Sequence, residues 1–130
     1  PQMSRFLHLR GFTGRPGAIA PCVAAHAINP ALQPHLSLIP AATLVAGYRE
    51  GAAYAYMRAF REAARSLAGA ELAAMLEEDL HALQDRGIDH LGDDRQRLRQ
   101  RYAAVVHPMA VEVVRWLDGA DTVDSWVEEA

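Results

Sequence analysis

The sequence predicts an all-α fold: a small helical bundle with a helix hairpin, a proline-kinked long helix and an irregular proline-rich N-terminal arm. Between residues 40 and 117, apolar side chains recur with the spacing of amphipathic helices. Gly69, Gly87 and Gly119 follow these periodic stretches, and glycine is the residue that most often ends a helix. Residues 1–40 differ, because they hold six of the seven prolines and no acidic residue. The chain therefore divides into an arm and a helical body.

Residues 1–40 are expected to form the arm, packed on a helical domain of residues 41–130 so that the whole chain is a single domain. Four apolar side chains are its expected anchors: Phe6, Leu7, Phe12 and Ile19. A chain of 130 residues can bury a sufficient core without disulfides. Its only cysteine is Cys22, which excludes an intrachain disulfide and a cysteine-based zinc cluster.

The longest helical stretch covers residues 40–67 and is predicted to be one unbroken helix. Small residues recur along it at every fourth position: Gly47, Gly51, Ala55, Ala59 and Ala63. Tyr48 and Tyr56 lie beside this line of small residues. Because small side chains let a neighbouring backbone or a flat ligand come close, this side of the helix is the expected contact ridge.

A second helix is predicted over residues 70–86, closed by Gly87. Only Gly69 separates it from the preceding helix, and so short a link predicts an antiparallel helical hairpin or a bent continuous rod. The apolar side chains of this second helix form one stripe, which we expect to face the core.

The next helix begins near residue 94 and is expected to kink at residues 104–107. Pro108 causes the kink, because it lacks an amide hydrogen and crowds the preceding turn. Residues 109–117 are apolar on nearly every side, so we expect them at the centre of the bundle or in an oligomer interface. A last short helix is predicted around Trp126.

On a helical wheel, where successive residues are about 100° apart, three of the predicted helices each direct one carboxylate towards the interior. Asp79 lies within about 20° of the centre of the apolar stripe of its helix. Glu62 lies about 40° from Tyr48, and Glu112 lies near the apolar line that contains Tyr102. A buried carboxylate has to be paired, protonated or bound to a cation. These acids therefore mark the candidate site.

Three explanations for the inward acids stay open. The simplest is pairing at the edge of the core with an arginine of the same helix: Arg58 for Glu62, Arg86 for Asp79 and Arg115 for Glu112. The second is a pocket in which Asp79 and Glu62 are the catalytic acid and base. Its ligand-binding residues are then Tyr48, Tyr56, Arg58, Tyr102, His107 and Glu112. The third is a metal site made of carboxylates and completed by His26, His35 or His107.

Local metal motifs are weak in this sequence. Glu78 and His81 have the Glu-x-x-His spacing that di-iron bundles use, but both point away from the apolar stripe and should face solvent. Cys22 and His26 share a helical face, yet two ligands do not make a zinc site. His107 precedes the kink proline, where a structural role is the alternative to ligand binding. No metal is therefore assigned, and no cofactor can be named.

Charge and composition limit the partners. The net charge of −3 gives no general attraction to nucleic acid or to an anionic membrane surface. No apolar run approaches the roughly 18 residues that a membrane span needs, and no signal peptide pattern opens the chain. A cytoplasmic protein is therefore expected. Abundant alanine and arginine without any lysine indicate a GC-rich bacterial gene.

Two functions from different classes fit this sequence. The first is a small-molecule-binding protein with an interhelical pocket, which either sequesters an organic ligand or acts as a small tailoring enzyme through an inward carboxylate. The second is a homo-oligomeric protein-interaction module without a small-molecule site, in which the Gly/Ala ridge and the apolar residues 109–117 pack against a second copy or a partner. A patch predicted on the outer side of the long helix, made of Tyr54, Met57 and Arg61, is either cover for the proline-rich arm or a surface for self-association. Whether the chain is an enzyme stays open.

Overall fold

A computed structural model describes residues 3–11 and 32–121. It confirms the all-α bundle, and neither described range contains a β-strand. The α-helices are α1 (Leu38–Glu50), α2 (Tyr56–Ala68), α3 (Ala70–Glu78), α4 (Asp94–Ala103) and α5 (Pro108–Leu117). Shorter 3₁₀ turns cover Met3–Arg5, Gly51–Ala53 and Ile88–His90, and a π-helical segment covers His81–Arg86. No helix within these ranges is long and apolar enough to cross a bilayer. The helix predicted around Trp126 lies outside the described residues.

The prediction of one unbroken helix over residues 40–67 is wrong. Gly51 ends α1 with φ 54° and ψ −121°, and Ala55 is extended with φ −127° and ψ 117° before α2 begins. Glycine adopts this positive φ at little cost, whereas other residues do so rarely. The break lets α1 and α2 pack against each other. The small residues from Gly47 to Ala63 therefore do not form one continuous ridge.

The helix predicted over residues 70–86 has the expected extent but not a uniform geometry. Regular α-helix ends at Glu78, and the chain then continues through the π-helical segment to Gly87. The Gly87 N–H donates to the Ala82 carbonyl five residues earlier, at 3.3 Å. Gly69 joins α2 to α3, and these two helices pack on each other as the hairpin prediction requires.

The interruption at Pro108 falls at the predicted position and is a complete break. Pro108 is the first residue of α5, a position where its missing N–H is not needed. His107 is extended, with φ −159° and ψ 141°, and its Nδ1 accepts a hydrogen bond from the Met109 N–H at 3.0 Å. Thus His107 caps α5, which is the structural role considered as the alternative to ligand binding.

The core contains side chains from every described helix and from the arm. Its largest fully buried members include Trp116, Tyr102 and Phe60, together with Leu7 and Leu9 of the arm. The Trp116 Nε1 donates to the Ser4 carbonyl at 3.0 Å, which ties α5 to the start of the arm. Residues 109–117 are central, because six of their side chains are buried. Phe6, another expected anchor, is half-buried with its ring against Gly87. The remaining expected anchors, Phe12 and Ile19, lie outside the described residues.

Candidate functional site

Asp79 is buried at the end of α3 and meets two residues of α4. The Tyr102 hydroxyl donates to Asp79 Oδ2 at 2.8 Å, and Arg101 Nε lies 3.1 Å from the same oxygen. Asp79 therefore faces the interior as predicted, but its partner is Arg101 and not Arg86. Arg86 instead pairs with Asp94 at 2.9 Å.

Tyr102 is fully buried, and burial raises the pKa of its phenol well above the usual value. The negative charge of Asp79 acts in the same direction. The phenol consequently stays protonated and donates to the carboxylate over the whole neutral range. The buried Arg101 Nε forms an ion pair with Asp79 Oδ2. This cluster brings a carboxylate, a phenol and a guanidinium together below the surface.

Glu112 is the second inward acid, and it holds the chain just ahead of α1. Its Oε1 accepts the Leu36 N–H at 2.8 Å, and its Oε2 accepts the His35 N–H at 2.9 Å. The His35 Nδ1 lies 2.6 Å from Oε2 and half of that side chain is exposed. Glu112 thus uses main-chain donors and not Arg115. Arg115 instead lies 3.4 Å from the buried Asp121.

Glu62 is exposed, so the prediction that it points towards the interior is wrong. The predicted orientation of Glu62 was an angle from Tyr48 around one continuous helix. Because the helix breaks at Gly51, between these two residues, that angle does not apply. On α2 the buried side chains are Ala59, Phe60 and Ala64, which leaves Glu62 on the solvent side. Its expected partner Arg58 pairs instead with Glu50 and donates to the Ala53 carbonyl at 2.8 Å.

The other predicted ligand-binding residues do not gather around one pocket. Tyr48, Tyr56 and Arg58 are exposed, whereas Tyr102 is fully buried and His107 caps α5. The structure brings together Asp79 with Tyr102, and separately Glu112 with His35. The two inward acids thus belong to two different clusters, each with its own donors.

No group of three metal-ligating side chains occurs within residues 3–11 and 32–121. Glu78 and His81 are exposed as expected and pair separately, Glu78 with Arg101 at 2.8 Å and His81 with Asp85 at 3.2 Å. His35 is engaged by Glu112. Cys22 and His26 lie outside the described residues.

The arginines of α4 are each engaged by a neighbouring group. Arg95 donates to the Leu117 carbonyl at 2.6 Å, Arg97 pairs with Asp94, Arg99 with Asp118 and Arg101 with Glu78. These contacts leave no row of arginines directed at one side, which nucleic-acid binding through this helix would need.

The most prominent exposed apolar feature is the outer face of α1. Leu38, Val45 and Tyr48 are 48%, 55% and 47% exposed. The residues of the patch predicted on the long helix do not share one outward surface: Tyr54 is half-buried, Met57 packs on the core and Arg61 pairs with Glu77. Tyr54 lies beside Gly11, as the arm-covering alternative expects, because a Cβ on Gly11 would be 3.1 Å from the Tyr54 hydroxyl. Predicting the helix break would have revealed this outer face. Taken alone, α1 carries apolar side chains on both of its sides, and only one side can face the core.

Comparison with known proteins returned no match, neither to a protein-family description nor to a curated protein nor to a solved structure. The function is therefore inferred from geometry alone.

Proposed function

We propose that this domain is a protein-interaction module that forms homo-oligomers through the outer face of α1. The proposal rests mainly on one observation. Leu38, Val45 and Tyr48 are exposed on one side of this helix, whereas Ile39 and Ala46 are buried on the other. At about 100° per residue, the three exposed side chains lie within about 80° of one another. They therefore form a single strip along α1.

A second copy of the chain suits this strip better than a charged partner does. Residues 36–48 contain no acidic residue, arginine, lysine or histidine. In a two-fold symmetric interface each residue near the axis meets its own counterpart, so a charged face would repel itself. From Leu38 to Tyr48 the outer face of α1 has no such charge, and its first charged side chain is the exposed Arg49 at the C-terminal end of the helix. Ala41 and Ala42 between the larger side chains allow two helices to approach closely.

The acids inside the bundle argue in the same direction. Asp79 and Glu112 were the features that predicted a ligand pocket, and each of them already accepts hydrogen bonds from protein donors. A carboxylate that is satisfied internally needs no ligand to offset its burial. Within residues 3–11 and 32–121, the exposed strip on α1 is a feature that internal contacts do not explain.

Val45→Glu tests the proposal, because it places two like charges at the interface. We expect the wild type to have twice the single-chain mass of 14.2 kDa in sedimentation equilibrium, and Val45→Glu to have the single-chain mass. Val106→Glu is the matched control, since Val106 is fully exposed in the turn before α5. This control should keep the wild-type mass. A wild type that stays monomeric at high concentration, or a Val45→Glu variant that stays dimeric, would contradict the proposal.

A small-molecule site beside Asp79 is the second candidate function. It is favoured by the meeting of Asp79, Tyr102 and Arg101, because a carboxylate, a phenol and a guanidinium are groups that acid–base sites use. Native mass spectrometry of freshly purified protein is the test. A bound mass that the wild type retains and Tyr102→Phe loses would support this candidate, and a wild type without any bound mass would count against it.

A further inference from the structure

The exposed strip on α1 has the spacing of a coiled-coil seam. Its members Leu38, Ala41, Val45 and Tyr48 follow one another at intervals of three, four and three residues. This alternation is that of positions a and d in a heptad. Two such seams pack with their helices nearly aligned, about 20° apart. Aligned helices can run in the same direction or in opposite directions, so the direction has to be decided by other groups.

Arg49 places a positive charge at one end of the strip. At about 100° per residue, Arg49 lies within about 40° of Leu38 and Val45, on the same side of α1. Its side chain is exposed. The neighbouring acid, Glu50, lies about 100° further round the helix and pairs with Arg58. The charge of Arg49 is therefore not offset by the acid next to it.

This charge favours opposite directions. In a parallel two-fold pair the axis runs along the helices, so the two Arg49 side chains meet at one end and repel each other. In an antiparallel pair the axis crosses the strip level with residue 43, halfway between Leu38 and Tyr48. The two Arg49 positions are then about 18 Å apart along the helices, at 1.5 Å per residue. Since this exceeds the Debye length of about 8 Å at physiological salt, their repulsion is largely screened.

The helix ends and the side-chain sizes favour the same direction. Antiparallel helices bring the partial negative charge of one C-terminus beside the partial positive charge of the other N-terminus, whereas parallel helices bring like ends together. A parallel pair would also place Ala41 against Ala41, which leaves space between the larger layers on either side. An antiparallel pair places Ala41 against Val45 and Leu38 against Tyr48, so that every layer contains a larger side chain.

We infer that the homodimer is an antiparallel pair of α1 helices, in which Leu38 of each copy packs against Tyr48 of the other and Ala41 packs against Val45. The inference rests on the proposed self-association through α1, and it adds the direction and register of the partner helix. Each Arg49 then lies beside the start of the other copy's α1. Residues 36–40 carry no charge there, and the nearby His35 is paired with Glu112.

Single-cysteine chains test the direction. Leu38→Cys and Tyr48→Cys are made as separate proteins, each with Cys22→Ser to remove the only native cysteine. After the two are mixed and oxidised, we expect a disulfide-linked dimer that contains one chain of each variant, identified on a non-reducing gel by a size tag on one of them. Either variant oxidised alone should give little dimer. Val106→Cys with Cys22→Ser is the control for random collisions, because Val106 is fully exposed outside α1.

Arg49→Gln tests the direction without changing an apolar contact. We expect the dissociation constant of the dimer, measured by sedimentation at low salt, to stay within about twofold of the wild type, because the two guanidinium groups do not meet. Arg65→Gln, the same change at an exposed position of α2, controls for the lower net charge. A dimer that Arg49→Gln alone tightens by about tenfold would show that the two arginines face each other, and would overturn the antiparallel arrangement.

The outcomes separate this inference from the proposed function. A wild type that sediments as a single chain overturns both. A dimeric wild type whose two cysteine variants each cross-link to themselves, and not to each other, leaves the α1 interface standing and overturns only the antiparallel arrangement. A dimeric wild type that gives no cross-link in any combination overturns the α1 interface, and the direction of the helices with it.

Discussion

At the scale of single residues, the two inward acids are satisfied by donors from distant parts of the chain. Asp79 accepts from the Tyr102 hydroxyl, and Glu112 accepts from the main-chain N–H groups of His35 and Leu36. Each contact joins two elements, the end of α3 to α4 and α5 to the start of α1. Removing a buried acceptor leaves its donors unsatisfied, so these acids stabilise the fold even if neither has a ligand.

We expect Glu112→Gln to lower the free energy of unfolding by about 1–3 kcal/mol. The side-chain NH₂ group of the new glutamine would face a main-chain N–H whose hydrogen bond the carboxylate of Glu112 accepts. Glu62→Gln is the matched control. It makes the same change at an exposed site and should stay within about 0.5 kcal/mol of the wild type. Urea denaturation followed by circular dichroism measures both. Equal midpoints for the two variants would contradict the assigned role of Glu112.

Tyr102 makes stability depend on alkaline pH. Its pKa is raised in the folded state by burial and then by Asp79, so the folded protein holds this proton more tightly than the unfolded chain does. The resulting stability is fully present below the unfolded tyrosine pKa of about 10 and is lost as the pH rises above it, by up to about 1.4 kcal/mol per pH unit.

Tyr102→Phe lacks this dependence because it has no phenol to ionise. At pH 8 we expect the variant to be less stable than the wild type by about 1 kcal/mol, since the hydrogen bond to Asp79 is lost. At pH 11 the deficit should shrink, because only the wild type has lost the contribution of Tyr102. Urea denaturation at the two pH values checks this, and a deficit that is constant with pH would contradict it.

At the scale of elements, two departures from regular helix decide which surfaces meet. The break at Gly51 turns one long stretch into α1 and α2, which pack on each other. The π-helical segment His81–Arg86 leaves the Leu83 carbonyl for the arm. Both departures lie next to glycines with positive φ, Gly51 and Gly87. Local backbone freedom thus lets tertiary packing override helix continuity.

Gly51→Ala tests the importance of the break. Ala is strained at φ 54° and ψ −121°, so we expect a loss of about 1–3 kcal/mol although nothing obstructs the added Cβ. Gly47→Ala is the matched control within α1, where the new Cβ would make ordinary contact with the Tyr54 ring at 3.8 Å. This control should raise stability by about 0.5–1 kcal/mol. The same sign of change in both variants, measured by urea denaturation, would contradict this account.

At the scale of the whole molecule, the described part of the arm belongs to the core and is not an accessory tail. Leu7 and Leu9 share one buried cluster with Trp116 and Leu83. The start of the chain is therefore fixed by contacts with residues that are more than seventy positions away. Such a core forms only when both ends of the described chain are in place.

Leu9→Ala is expected to lower the free energy of unfolding by about 2–5 kcal/mol, since it removes a fully buried side chain and leaves a cavity. His8→Ala, the neighbouring exposed position on the same arm, should change it by less than about 0.5 kcal/mol. Thermal and urea unfolding measure both variants. A small effect of Leu9→Ala would mean that the arm contributes little to the core.

Much of the fold was predictable from the sequence, because helix periodicity and helix ends are local properties. The all-α class, the helix end at Gly87, the outward Glu78 and His81, and the inward Asp79 all follow from spacing along one helix. The angle assigned to Glu62 was wrong because it crossed Gly51, where the helical period stops. A periodic argument holds only within one uninterrupted helix.

The partners of the candidate site could not be predicted in this way. Asp79 meets Arg101 and Tyr102 across 22 and 23 positions, and Glu112 meets Leu36 across 76. By itself, the sequence determined which side of a helix is apolar and where that helix can end, because neighbouring residues set both. Only the tertiary structure decided which acid meets which donor, and that none of the described residues packs over the exposed side chains of α1, because these depend on how helices distant in the chain pack together.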